Sequence, residues 1–365
     1  MTIPLRIAPL PGALLLLLSC IVVAALMSMG RESLAAPLPG SAARPYHLLQ
    51  TYHYGPAAGA TAEYFDYISV DSVGRRVYLG RGTEVQVINA DTGRLLGDIV
   101  GFRRQHGVAL ARPFDRGFIT DGAAGTVTLF DLSTLKRIRT VTAQPDADCV
   151  VYDPVSKRVF TMNGDPESST VIDARTGRLV KTIPLGGAPE FAVADGRGTI
   201  YANLASTNQI IAIDSRTMTV KSRWSSAPAG APTALAIDPV HHRLFSAGRR
   251  PAVLDILDAD TGRVIQSFPI TDGVDAARYD PATGDVFVST FTGRLHIFHE
   301  NSPDSFSALP AVTTAEGAKT MGIDLKTHDI FVDTADFTPP PPHATGRASR
   351  PRAVLGTYRV LVYGP

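Results

Sequence analysis

Val150-Val-Tyr-Asp153-Pro-Val-Ser-Lys-Arg-Val-Phe160 is an alternating apolar run, a turn opened by Asp-Pro, and a second apolar run that ends on an aromatic residue. Asp and Pro open turns for separate reasons. The carboxylate can accept a backbone N–H two or three residues on, and Pro presets φ near the turn value. The segment reads as a β-hairpin, and what decides the fold is that the chain repeats it. Ile68 to Tyr78, Leu235 to Phe245, Ala277 to Phe287 and Met321 to Phe331 follow the same order of residue types. Two divergent copies run from Val108 to Phe118, with Ala111 in place of the Asp, and from Ala192 through Asp195 to Tyr201. The anchor positions 71, 111, 153, 195, 238, 280 and 324 lie 40 to 44 residues apart.

That period, with alternation of two rather than 3.6, predicts the four-stranded blade of a β-propeller rather than a helical repeat. Third strands such as Val85-Gln-Val-Ile and Val127-Thr-Leu-Phe follow the hairpin. Turns such as Asp173-Ala-Arg-Thr-Gly177 and Asp258-Ala-Asp-Thr-Gly262 then lead to a fourth strand. The last unit runs out of chain after its third strand, near Thr357 to Tyr363. His47-Leu-Leu-Gln-Thr-Tyr52, ahead of the first unit, reads as an unattached fourth strand. Pairing the two seals the ring and leaves no orphan edge there. The expectation is an all-β, seven-bladed propeller of four-stranded antiparallel blades over residues 46–365, with a Pro-rich insertion at 335–353 read as a semi-rigid flap or loop.

The Asp-Pro turn, the second strand Phe160-Thr-Met-Asn163 and the third strand and turn ending in Thr-Gly-Arg resemble the YVTN-repeat β-propellers of the bacterial YncE-like family. The resemblance spans essentially residues 46–365. It implies the fold and an exported protein, and it brings no catalytic residues with it. WD-repeat propellers are a poorer match by sequence: Trp224 is the only tryptophan, and no Gly-His…Trp-Asp pairs occur.

The N-terminus reads as an export signal over residues 1–35, followed by a linker to residue 45. Arg6 precedes an apolar run from about Ala13 to Met29, and Ser33 and Ala35 stand at −3 and −1 of a cleavage site. An uncleaved anchor and a lipoprotein ending its leader at Cys20 are the alternatives. A periplasmic or secreted location is expected. With that leader gone, Cys149 is the one cysteine left, so no internal disulfide can form. The whole chain carries 35 Lys+Arg against 34 Asp+Glu. Such a balance lacks the basic footprint of a general nucleic-acid binder.

Five residues before each anchor, where the inner strands begin, stand Asp66, His106, Asp148, Glu190, Thr233, Asp275 and Lys319. Two residues further along, all seven positions are apolar, which confines the polarity to one level at the channel mouth. Antiparallel pairing sets the ends of the second strands beside these starts, adding Arg81, Asp121 and Asn163 as neighbours. This ring, with the flap at the same face, suits a small polar ligand or a protein partner. Its carboxylates and imidazole can also ligate a divalent metal ion, with His106, Asp148, Glu190 and Asp275 as candidates. A water-filled mouth without function is the bland alternative.

Two further functions stay open: a metal-dependent hydrolase of the lactonase-propeller kind, and an accessory protein of an exported redox system. Elsewhere Cys149 reads as a packed residue and His241-His242 as solvated turn residues. His296 and His299 point to opposite faces of a strand. Arg278, a charge within an inner strand, calls for a carboxylate or channel water. No nucleophile elbow, phosphate loop or zinc spacing occurs.

Overall fold

The computed structural model describes residues 45–340, 342 and 350–365, so the expected leader and nearly all of the linker lie outside the described residues. Blade 3 shows how the repeat folds. Ala147–Asp153, Arg158–Asn163, Ser168–Asp173 and Leu179–Pro184 pair antiparallel in chain order. Asp153, fully buried, ends the inner strand and accepts the Ser156 N–H at 2.8 Å, while Lys157 takes a left-handed φ of 58°. At the next hairpin Asp173 accepts both the N–H and the hydroxyl of Thr176 at 2.7 Å. Gly177 closes that turn at φ +68°, where a Cβ would also stand 2.2 Å from Leu129 of blade 2.

Every other blade has the same four-stranded order. The inner strands pack on one another around a ring, the seventh (Met321–Ile323) against the first (Ile68–Asp71). The aromatic that ends each repeat (Tyr78, Phe118, Phe160, Tyr201, Phe245, Phe287 and Phe331) is buried between blades. Removing one such side chain from water is worth about 1.5–3 kcal/mol, so the periodic aromatics are the main inter-blade glue. Closure follows the expectation from sequence. His47–His53 pairs antiparallel with Arg359–Gly364 and supplies the outer strand of blade 7. Just ahead of it, Tyr46 packs edge-on to Phe287 at 5.0 Å and donates to the His328 carbonyl at 2.9 Å.

Three features depart from the repeat. The outer strand of blade 1 runs on into the inner strand of blade 2 as Leu95–Ala111, bulged between its two ladders. Where Ala111 replaces the anchor Asp, a 3-10 turn at Arg112–Phe114 does the turning instead, and Arg112 reaches back to Asp71 of blade 1. The Pro-rich insertion starts as structure rather than as a free loop. Phe337–Thr338 pairs with Arg352–Ala353, and the Phe337 ring lies 5.4 Å from Phe291 and 6.4 Å from Phe65 on the mouth face. Residues 341 and 343–349 of the insertion lie outside the described residues.

Candidate functional site

The mouth gathers six of the seven ring residues into two adjoining clusters. The first joins blades 1 to 3. His106 Nδ1 lies 2.7 Å from Asp66 Oδ2 and 3.1 Å from Asp148 Oδ1, and the Tyr64 hydroxyl donates to Asp66 at 2.8 Å. His106 fits because the residue behind it is Gly122, where a Cβ would stand 2.8 Å from Nε2. That packing leaves Nε2 buried without a partner and turns Nδ1 toward the carboxylates. Burial works against charge on this imidazole, but the Asp66 hydrogen bond and the charges of Asp148 and Asp66 outweigh it and raise the pKa.

The two acids of this cluster are driven apart. Burial pushes Asp66 upward, yet His106, Lys319 and the Tyr64 hydroxyl together hold it below the usual carboxylate range. Asp148 is raised by burial and by the charges of Asp66 and Glu190, with His106 opposing. Its Oδ1 is buried and accepts no hydrogen bond. Two carboxylates compete for one ring proton, and Asp66 wins it.

The second cluster joins blades 4 to 7. Asp275 is clasped by Arg249 and Lys319. Glu190 Oε1 lies 4.0 Å from Arg249, and burial raises its pKa with that guanidinium only partly compensating. Thr233 does not join, because its hydroxyl turns back to the Ala231 carbonyl at 3.0 Å.

The expected neighbours are corrected. Arg81 pairs with Glu63 at 2.6 Å, donates to the Gly55 carbonyl and lies over the Tyr358 ring. Asp121 accepts the backbone N–H groups of Arg103 and Arg104. Asn163 bonds Thr161, Ser168 and Thr170 inside its own blade. The reason is register. Asn163 lies opposite Ala147 rather than Asp148, so its side chain shares the buried face. The residue one step on faces the mouth, and in blades 1 to 3 it is Gly82, Gly122 or Gly164. In blade 5 it is Arg249, which the same reasoning, shifted by one residue, would have found.

The metal candidates are corrected in the same way. His106 meets Asp148, but Asp66 completes the trio in place of Glu190 or Asp275. Their donor atoms lie mutually within 4.8 Å. Below this level the channel is tight. Tyr67 and Phe191 pack with ring centres 5.2 Å apart, and a cavity of about 100 Å³ is lined by Ser69, Cys149, Val151 and Arg278 as well. Arg278 finds no carboxylate and is half-buried against the channel cavity. Its guanidinium lies 4.9 Å over Phe191 and donates to the carbonyls of Ala277 and Ile68. Cys149 is packed as expected, its thiol pushed up to about 12 by burial. His296 and His299 do part company, bonding to Thr271 and Asp285 respectively.

The geometry has the counterpart expected of a β-propeller, and comparison with solved structures agrees. The chain is similar to the WD40 repeats of RRP9 (TM-score 0.70, 10% identity, 89% of this chain and 98% of that one). It is also similar to a chain of the mitotic checkpoint complex (TM-score 0.70, 13% identity, 91% and 97%). A chain of the Kuenenia stuttgartiensis hydrazine synthase aligns too (TM-score 0.64, 13% identity, 76% and 96%). No family model matches the sequence, and no curated protein matches it. At these identities the likeness is one of fold. The chain is a β-propeller, and the YVTN-repeat resemblance rests on its motifs alone.

Proposed function

We infer that the chain is a binding module of the extracytoplasmic space whose channel mouth takes a protein partner or small polar ligand presenting a cationic group. The observation that carries this reading is Asp148, a half-buried carboxyl with one enclosed, unpartnered oxygen and a raised pKa. Beside it Glu190 is also raised and only loosely held by Arg249. An ammonium or guanidinium placed between them supplies the missing donor and charge, and such charge-assisted bonds are the stronger kind. Rigid blades hold the contributing loops at little entropic cost.

The test is calorimetric titration with spermidine and with short Lys- and Arg-containing peptides. Binding that rises with pH and weakens at least tenfold in Asp148→Asn and Glu190→Gln is expected. Absence of binding to the wild type, or binding to both variants as tight as to the wild type, overturns the reading.

A metal-dependent hydrolase is the second reading, favoured by the Asp66, His106 and Asp148 donor set, which suits a borderline divalent ion. Those three residues would hold the ion, and it would polarise a carbonyl or activate water. Asp275 is occupied by Arg249 and Lys319, and Glu190 is not among the donor atoms that converge with His106. Esterase and lactonase assays with added Zn²⁺ or Mn²⁺, set against His106→Ala, decide between the two.

A further inference from the structure

On the face opposite the mouth, each inner strand that keeps its anchor aspartate ends in a buried carboxylate. Such groups need hydrogen-bond donors or a compensating cation nearby. Asp153 and Asp195 are held by backbone N–H groups of their own turns, and at three other blade junctions the following blade supplies a cation. Asp71 receives Arg112 of blade 2, Asp280 receives His328 of blade 7 at 2.7 Å, and Asp324 receives Arg75 of blade 1.

The junction of blades 5 and 6 differs from all of these by adding a second acid. The blade 6 turn, Pro281-Ala282-Thr283-Gly284, carries no base. What faces Asp238 from blade 6 is a second acid, Glu300, near the end of the strand Arg294–Ser302. The two carboxylate side chains are only 1% and 4% exposed. Between them stands His241, from the turn after Asp238. Its Nδ1 is 2.7 Å from Asp238 Oδ2 and 2.8 Å from Glu300 Oε1. His241 is therefore no idle turn residue, and its neighbour His242 is half-buried between Asp260 and Arg197 of blade 4.

One imidazole nitrogen holds at most one proton, so it cannot serve both acids. Glu300 Oε1 accepts no hydrogen bond despite its closeness to the ring, while Oε2 is taken by the Tyr279 hydroxyl at 2.7 Å. Asp238 spends its remaining capacity on the Val240 and His241 N–H groups. Arg243 is occupied with Asp304, Asp258 and the Pro303 carbonyl. Two buried acids and one imidazole thus converge with a deficit of positive charge. Their three donor atoms lie mutually within 4.8 Å. Bonds of about 2.1 Å would set neighbouring ligands roughly 3–3.4 Å apart, a small opening from the distances present.

We propose that Asp238, His241 and Glu300 form a site for a borderline divalent cation of the Zn²⁺ or Mn²⁺ class, pinning blade 5 to blade 6 on the face away from the mouth. The mixed nitrogen and oxygen donors select that class over Ca²⁺ or Mg²⁺. The exposed edge of His241 leaves positions for water to complete the shell. The site is independent of the mouth.

Zn²⁺ titration of the metal-stripped protein by calorimetry, with thermal unfolding alongside, tests it. His241→Ala alters an exposed turn side chain and leaves the core intact. Glu300→Gln removes the orphaned oxygen's charge. A binding step weakened at least tenfold by both substitutions, retained in His106→Ala, and accompanied by a Zn²⁺-dependent rise in Tm that both lose, is expected. No Zn²⁺ uptake by the wild type, or uptake that survives His241→Ala and Glu300→Gln, overturns the proposal. Zn²⁺ held only at the mouth would disappear in His106→Ala instead, which also overturns it.

Discussion

Asp148 is held nearer its neutral form by the fold, and that has a measurable sign. A carboxyl raised in the folded state binds more protons there than in the unfolded chain, so stability falls as pH climbs from the ordinary carboxylate range through the raised value. Asp333, raised to about 7 by burial between the Thr320 and Tyr358 hydroxyls, works in the same direction. Asp148→Asn removes one of these groups. Its urea stability should match the wild type near pH 4 and exceed it at pH 9 by on the order of 1–3 kcal/mol. A variant less stable at pH 9 would show that the ion pair with His106 outweighs burial. Next to it, the Cys149 thiol accepts the Ala192 N–H at 3.3 Å and is raised to about 12. Iodoacetamide at pH 8 should leave the Cys149 peptide unmodified in the native protein and alkylate it in guanidinium, as read by mass spectrometry. At this scale the level of the ring was legible from spacing. Its membership was only partly so, because a one-residue step separates Asn163, which faces the blade interior, from the position that Arg249 fills in blade 5.

Among the elements, the strand His47–His53 has the largest predicted effect for its size. It covers the outer edge of Arg359–Gly364, and Tyr46 ahead of it is anchored to blades 6 and 7. Truncation before Tyr54 strips a row of backbone hydrogen bonds and bares a hydrophobic edge, Val360-Leu-Val-Tyr363. The truncated chain should lose at least about 3 kcal/mol in denaturant unfolding and self-associate in size-exclusion chromatography. Unchanged stability would mean that the ring does not depend on this closure. The closing strand was readable because the last repeat is one strand short. The hairpin at Phe337–Thr338 and Arg352–Ala353 was not. Two-residue strands carry no periodicity, and this pair forms where Phe337 can pack on Phe65 and Phe291, residues distant in the chain.

Over the whole molecule, seven blades meet at a narrow axis where Arg278 of blade 6 bonds blade 1 and stacks on blade 4. Burial lowers its pKa to about 10, yet it stays charged at neutral pH. Arg278→Met keeps the length and removes the contacts. It should cost about 1–2 kcal/mol in chemical unfolding while leaving the blade structure seen by circular dichroism unchanged. A stabilised variant would mark the buried cation as a cost kept for binding something in the channel.

Sequence alone determined the repeat, the seven blades, the seal between the two ends and the concentration of charge at one level. All of these follow from short-range rules: alternation of two, Asp and Gly in turns, and an aromatic at a fixed place. Tertiary structure decided which charges meet. Asp66 with His106 and Asp148, Arg249 with Asp275, and Glu300 with His241 each join residues of different blades. Their distances are set by how neighbouring sheets twist and pack and by bulges that shift register by one residue. A local pattern of residue types carries no record of either, because the same alternation is compatible with both faces until the packed blades choose one.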